Sequence, residues 1–129
     1  MSNPPAEQPA TRVTAMPADA NFYGDIFGGW PMSMMDLAAS NVASHRSAGR
    51  AVTVAIDAVS FHLPVRVGDE LSVYARVTSA GRSSMEIATE DWQRDRDSER
   101  TGKVTEASFT YIAIDELGKP RPVPSERTP

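Results

Sequence analysis

Apolar and polar positions alternate along four stretches in the later part of the chain, and one earlier stretch breaks that rhythm. In AVTVAIDAVSF, residues 51–61, the apolar positions are Val52, Val54 and Ile56, after which the phase shifts to Val59 and Phe61. Period two marks a strand with one buried face, and a phase change predicts a bulge, here near Asp57–Ala58. ELSVYARVTSAG (70–81) alternates through Leu71, Val73, Ala75 and Val77, and SSMEIATEDWQRD (83–95) sets Met85 and Ile87 against Glu86 and Ala88. VTEASFTYIAID (104–115) carries apolar groups in both phases, so burial on both faces is expected. Pro64 with Gly68, Gly81–Arg82, and the charged run Asp95 to Lys103 with Gly102 punctuate these segments as turns.

The stretch Asn21 to Arg46 reads differently. Residues 32–46 hold Met, Leu, Ala and Arg with neither Gly nor Pro, a helical composition. Pro31 is tolerated in a first turn, where backbone amides have no intrahelical partner. Gly49 is the expected stop, and His45 the expected C-terminal cap. Ala38, Ala39, Ser40, Ala43 and Ser44 would let this helix lie close against a sheet, wrapped on most sides. Residues 10–16 add a short β-prone segment. A strand, a long helix, then strands joined by short turns predict an α+β fold: an antiparallel sheet with the helix on one face.

The chain has 129 residues, enough for one domain with a real core. We expect a polar, Pro-rich, disordered lead-in over residues 1–9, one domain over 10–124 and a tail over 125–129. Net charge is −4, so nothing points to nucleic acid. There are no cysteines, which removes thiolate chemistry and Cys-based metal sites. No apolar run is long enough to span a membrane, and the N-terminus does not resemble a signal peptide, so a cytoplasmic location without a membrane partner is expected.

Asp36 is the chemical anomaly. A carboxylate on an otherwise oily helix must be paired, protonated or put to use. It is either a base that activates water or a buried acid satisfied by a neighbouring hydroxyl; on the helix its neighbours would be Ser33, Ser40 and Asn41. Asp25 precedes the glycines and would cap or flank the helix start. Gly28 and Gly29 offer amides to a developing oxyanion, or simply make a tight turn. Gly81, Arg82, Ser83 and Ser84 suit a phosphate or an ordinary hairpin, and Lys119 and Arg121 share that ambiguity. His45 is about 900° around the helix from Asp36, and His62 ends a strand, so neither makes a catalytic pair or a zinc site. Trp30, Trp92, Phe27 and Tyr111 read as core or interface.

Four blocks in order, MPADANFYGDIFGGWPMSMMD, VTVAIDAVSFHLPVRVGD, GRSSMEIATEDW and TEASFTYIAIDELGKPRPVP, resemble the acyl-CoA thioesterases of the YciA and brain acyl-CoA hydrolase type. The resemblance spans about Thr14 to Pro124. It implies a hotdog fold, a curved antiparallel sheet wrapped around a long central helix, and hydrolysis of acyl-CoA to a carboxylic acid and coenzyme A. By that resemblance Asp36 is the catalytic carboxylate, Asp25 lies near the reaction centre, and Gly28 and Gly29 polarise the thioester carbonyl. Gly81, Arg82, Ser83 and Ser84 would approach coenzyme A, which is part of the substrate; no separate cofactor or metal is implied. The site would form between paired subunits of a homo-oligomer, a dimer or a trimer of dimers. Phe22 and Tyr23 stand where the family often has small residues, and Pro31 where it often has an aliphatic one. A non-catalytic acyl-CoA-binding hotdog module and a hotdog enoyl-CoA hydratase or dehydratase are the alternatives.

Overall fold

A computed structural model describes residues 3–125, so nearly all of the tail expected over 125–129 lies outside the described residues. Strand β1, Thr11–Thr14, leads through a short 3-10 turn at Pro17–Asp19 to helix α1, Gly29–Ser47. Four strands follow: β2 at Ala51–Phe61, β3 at Glu70–Ala80, β4 at Ser84–Arg94 and β5 at Thr101–Ala113. They form one antiparallel sheet in the order β1-β3-β4-β5-β2, with α1 packed on its inner face. This is the hotdog arrangement, and β1 and β2 are its edges.

The core lies between helix and sheet. Met35, Ala38, Ala39 and Ala43 of α1 meet Leu71, Val73, Met85, Ile87, Phe109 and Tyr111. The alanines set the spacing, because a side chain of one carbon lets the helix backbone lie close to the strands. Ser33, Leu37, Asn41 and Ser44 recur every three to four residues and are exposed, so the helix keeps one uncovered stripe rather than being wrapped on most sides. Five strands curve around one side of the helix only.

Two further expectations need correction. The helix stop is Ala48, in the left-handed region at φ 56°, not Gly49. Gly49 serves close approach instead: a Cβ there would stand 2.6 Å from an Arg121 guanidinium nitrogen. Strand β5 is not buried on both faces; Ala107, Phe109, Tyr111 and Ala113 point inward, while Ser108, Thr110 and Ile112 are half-covered. Strand β2 has its expected register shift between Asp57 and Ser60, with Ala58 at φ 53°, and a second shift between Thr53 and Ala55. That second bulge keeps Thr53 opposite Tyr111 and sets Ile56 opposite Phe109, on the sheet face that meets α1, although Ile56 lies beyond the part that the helix covers. Val52, Val54, Ile56, Val59 and Phe61 all remain well exposed on this edge strand.

Among the described residues no helix is long and apolar enough to cross a membrane.

Candidate active site

Asp36 sits midway along α1, half-buried at the border between the core face and the open stripe. The hydroxyls that meet it come from the sheet, not from its own helix. Thr53 Oγ1 donates to Asp36 Oδ1 at 2.6 Å. The Tyr111 hydroxyl donates to the same Oδ1 and also lies 2.8 Å from the Asp36 carbonyl oxygen. Ser33 and Ser40 turn back instead onto the carbonyls of Trp30 and Leu37, each at 2.9 Å. Asn41 is exposed. Asp36 Oδ2 takes no hydrogen bond from the described residues and is not among the sealed polar atoms. Burial first, then the Asp36 carboxylate, push the Tyr111 phenol above its ordinary range, so it remains a neutral donor.

At the helix start, Gly28 precedes the first helical residue and offers no side-chain cap. First-turn amides have no intrahelical acceptor. The missing side chains admit aromatic rings: a Cβ on Gly28 would stand 3.1 Å from the Phe61 ring, and one on Gly29 would stand 3.1 Å from the Phe27 ring. An apolar cleft of about 420 Å³ opens here between Ile26, Gly28 and Pro31 on one side and Phe61, Leu63 and Val65 on the other. Asp25 does not cap the helix. It closes a turn in which Asn21 Oδ1 accepts from the amides of Tyr23 and Asp25 at 2.9 and 3.1 Å. Gly24 supplies the positive φ of 83° that this turn needs. Phe22 and Tyr23 project fully from its tip.

Gly81, Arg82 and Ser83 connect β3 to β4, and Ser84 opens β4. The Gly81 amide donates to the Ser84 carbonyl at 2.8 Å, and a Cβ on Gly81 would collide with Ser84 Oγ. Arg82 is exposed, and its carbonyl accepts from Val123. Met85, the second residue of β4, pairs with Tyr111, which places this turn at the Asp36 end of the sheet. His45 is exposed, and His62 bonds Glu106 at 2.8 Å. Among the described residues no three metal-ligating side chains cluster.

The chain resembles known proteins over nearly its whole length. An uncharacterized acyl-CoA thioester hydrolase of Zymomonas mobilis is 52% identical over 120 residues, covering 93% of this chain and 80% of the relative. The acyl-CoA thioester hydrolase YciA of Salmonella typhimurium is 46% identical over 127 residues, 96% of each chain. Residues 23–99 match the Thioesterase superfamily. The chain belongs to the thioesterase superfamily. A solved hexameric, broad-specificity acyl-coenzyme A thioesterase superposes on this thioesterase with a TM-score of 0.90 at 38% identity, covering 97% of this chain and 86% of that one. The likeness to YciA and the hotdog fold, expected from the four sequence blocks, both hold.

In the sequence Thr53 carries no mark of the site, and Tyr111 reads as core or interface. Tyr111 is core, at 1% exposure, and its hydroxyl reaches the acid as well. The only signal in the sequence was a phenol and a hydroxyl among apolar strand positions. Neither shows its partner until register and helix packing bring β2, β5 and α1 together.

Proposed function

We propose that this thioesterase hydrolyses acyl-CoA thioesters with Asp36 as general base, at a cleft completed by a second copy of the chain. Water attacks the thioester carbon as its proton passes to Asp36. The tetrahedral oxyanion forms against the Gly28 and Gly29 amides, and collapse expels coenzyme A as a thiolate and leaves a free carboxylic acid. Asp25 borders the reaction centre, and Gly81, Arg82, Ser83 and Ser84 meet the coenzyme A portion. No metal or additional cofactor enters the scheme.

The single observation that carries this reading is the carboxylate of Asp36, half-buried on a largely apolar helix and held through one oxygen only. Spacing supports the second copy. Asp36 is seven residues beyond Gly29, about 10 Å along a helix axis. A separation of that size along the axis favours pairing the glycine amides of one chain with the Asp36 of another around one thioester. The exposed apolar side chains of edge strand β2 suit an interface between copies, and a dimer built into a trimer of dimers in the cytoplasm is the assembly we propose.

Release of free thiol from acyl-CoA substrates of graded chain length tests the reading. Asp36→Asn and Asp36→Ala are expected to fold and assemble as the parent does while losing about 100-fold or more in kcat. Turnover near the parent rate in either variant would remove Asp36 from the mechanism.

A further inference from the structure

Tyr111 touches Asp36 twice, at the side chain and at the backbone carbonyl. It is 1% exposed and packs beside Phe109, with ring centroids 6.4 Å apart, so its hydroxyl has little freedom to move. Thr53 is its cross-strand partner, and pairing of β2 with β5 therefore fixes how far apart the two hydroxyls stand. Both aim at Oδ1. A carboxylate held by one oxygen cannot rotate about its last bond without breaking both contacts. Oδ2, by contrast, is left unbonded by the described residues. We propose that Tyr111 is a positioning residue for thioester hydrolysis: with Thr53 it anchors Asp36 Oδ1, so that Oδ2 is the oxygen presented to water. The inference rests on the reading of Asp36 as the base, and it adds which oxygen acts and what aims it.

Tyr111→Phe keeps the ring in the core and removes only the hydroxyl. The expected result is a kcat lowered about tenfold, the scale of a misaimed catalytic group, with KM within about twofold and assembly unchanged. A residue that acts through Asp36 has nothing left to aim once the carboxylate is gone. Introduced into Asp36→Asn, Tyr111→Phe is therefore expected to produce no further loss of residual turnover. A loss that multiplies with that of Asp36→Asn would mark Tyr111 as merely structural and overturn the proposal, as would a Tyr111→Phe enzyme with parental kcat. Should Tyr111→Phe fail to assemble, Thr53→Val removes the other tie to Oδ1 and runs through the same cycle, with multiplicative losses again overturning the anchoring role. The two readings fail separately. Full turnover in Asp36→Asn defeats both, whereas an inactive Asp36→Asn beside a fully active Tyr111→Phe defeats only the positioning role.

Discussion

Asp91 is a fully buried acid, and its situation is the reverse of that of half-buried Asp36. It is 0% exposed, and neither carboxyl oxygen has a partner among the described residues. The Thr105 hydroxyl on the neighbouring strand, paired with it across the sheet, is equally unpartnered. A buried charge without partners is far costlier than a neutral acid, and burial pushes the Asp91 carboxyl up to about 8. The folded chain therefore binds a proton that the unfolded chain releases near pH 4, and stability falls as pH rises from about 4 towards 8. Asp91→Val is expected to melt higher than the parent by several °C at pH 8, a gain of at least about 1 kcal/mol, and by much less at pH 5. Thermal melts of both proteins across that range check this; parallel curves would mean Asp91 does not carry the effect. The signal lay in the sequence: Met85 and Ile87, extended by twos, reach Thr89 and then Asp91. Asp36 announced itself by its oily surroundings, while Asp91 lay hidden among Glu90, Arg94 and Asp95.

At the scale of elements, the end of α1 depends on a residue more than seventy positions away. Arg121 donates to the Ser47 carbonyl at 2.8 Å, to Ser47 Oγ at 3.2 Å, to the Arg50 carbonyl at 3.1 Å and to the Ile114 carbonyl at 2.9 Å. These carbonyls sit at a helix end and a strand end, where the regular ladders run out of donors. Composition alone left Arg121 and Lys119 equivalent on a Pro-rich segment, but Lys119 is exposed and Arg121 is not. Arg121→Ala is expected to cost about 1–3 kcal/mol, seen as a fall in melting temperature, while Lys119→Ala stays within about 0.5 kcal/mol. Equal melting temperatures for the two variants would show that the guanidinium is not holding this junction. The helix and all four long strands were legible from period and composition, as was the bulge near Asp57. The second bulge, at Thr53–Ala55, was not. Alternation in AVTVAIDAVSF runs straight through it, since apolar side chains stand on both sides of the strand.

For the whole molecule, the open side of the fold matters most. Edge strand β2 carries exposed Val52, Val54, Ile56 and Phe61 beside the bared stripe of α1 that includes Leu37. An apolar edge of this length invites pairing with another chain. Val54→Lys is expected to yield a smaller species by light scattering, with thiol release reduced about tenfold or more, because the proposed cleft needs two chains. An assembly and turnover equal to the parent's would remove β2 from the interface. By itself the sequence determined the antiparallel sheet, the helix across it, the family likeness and the acid on which the proposed chemistry turns. Those follow from local period, from helix-forming composition and from motifs a few residues long, all properties of neighbours along the chain. Tertiary structure alone decided that Thr53 and Tyr111 meet Asp36 through one oxygen, that Asp91 is sealed without a partner, and that Arg121 closes the helix end. The hydrogen bonds join residues seventeen to seventy-five positions apart, and the sealing of Asp91 depends on strands brought beside it from elsewhere in the chain. Strand register and packing distance fix such contacts, and neither is written in the order of the residues.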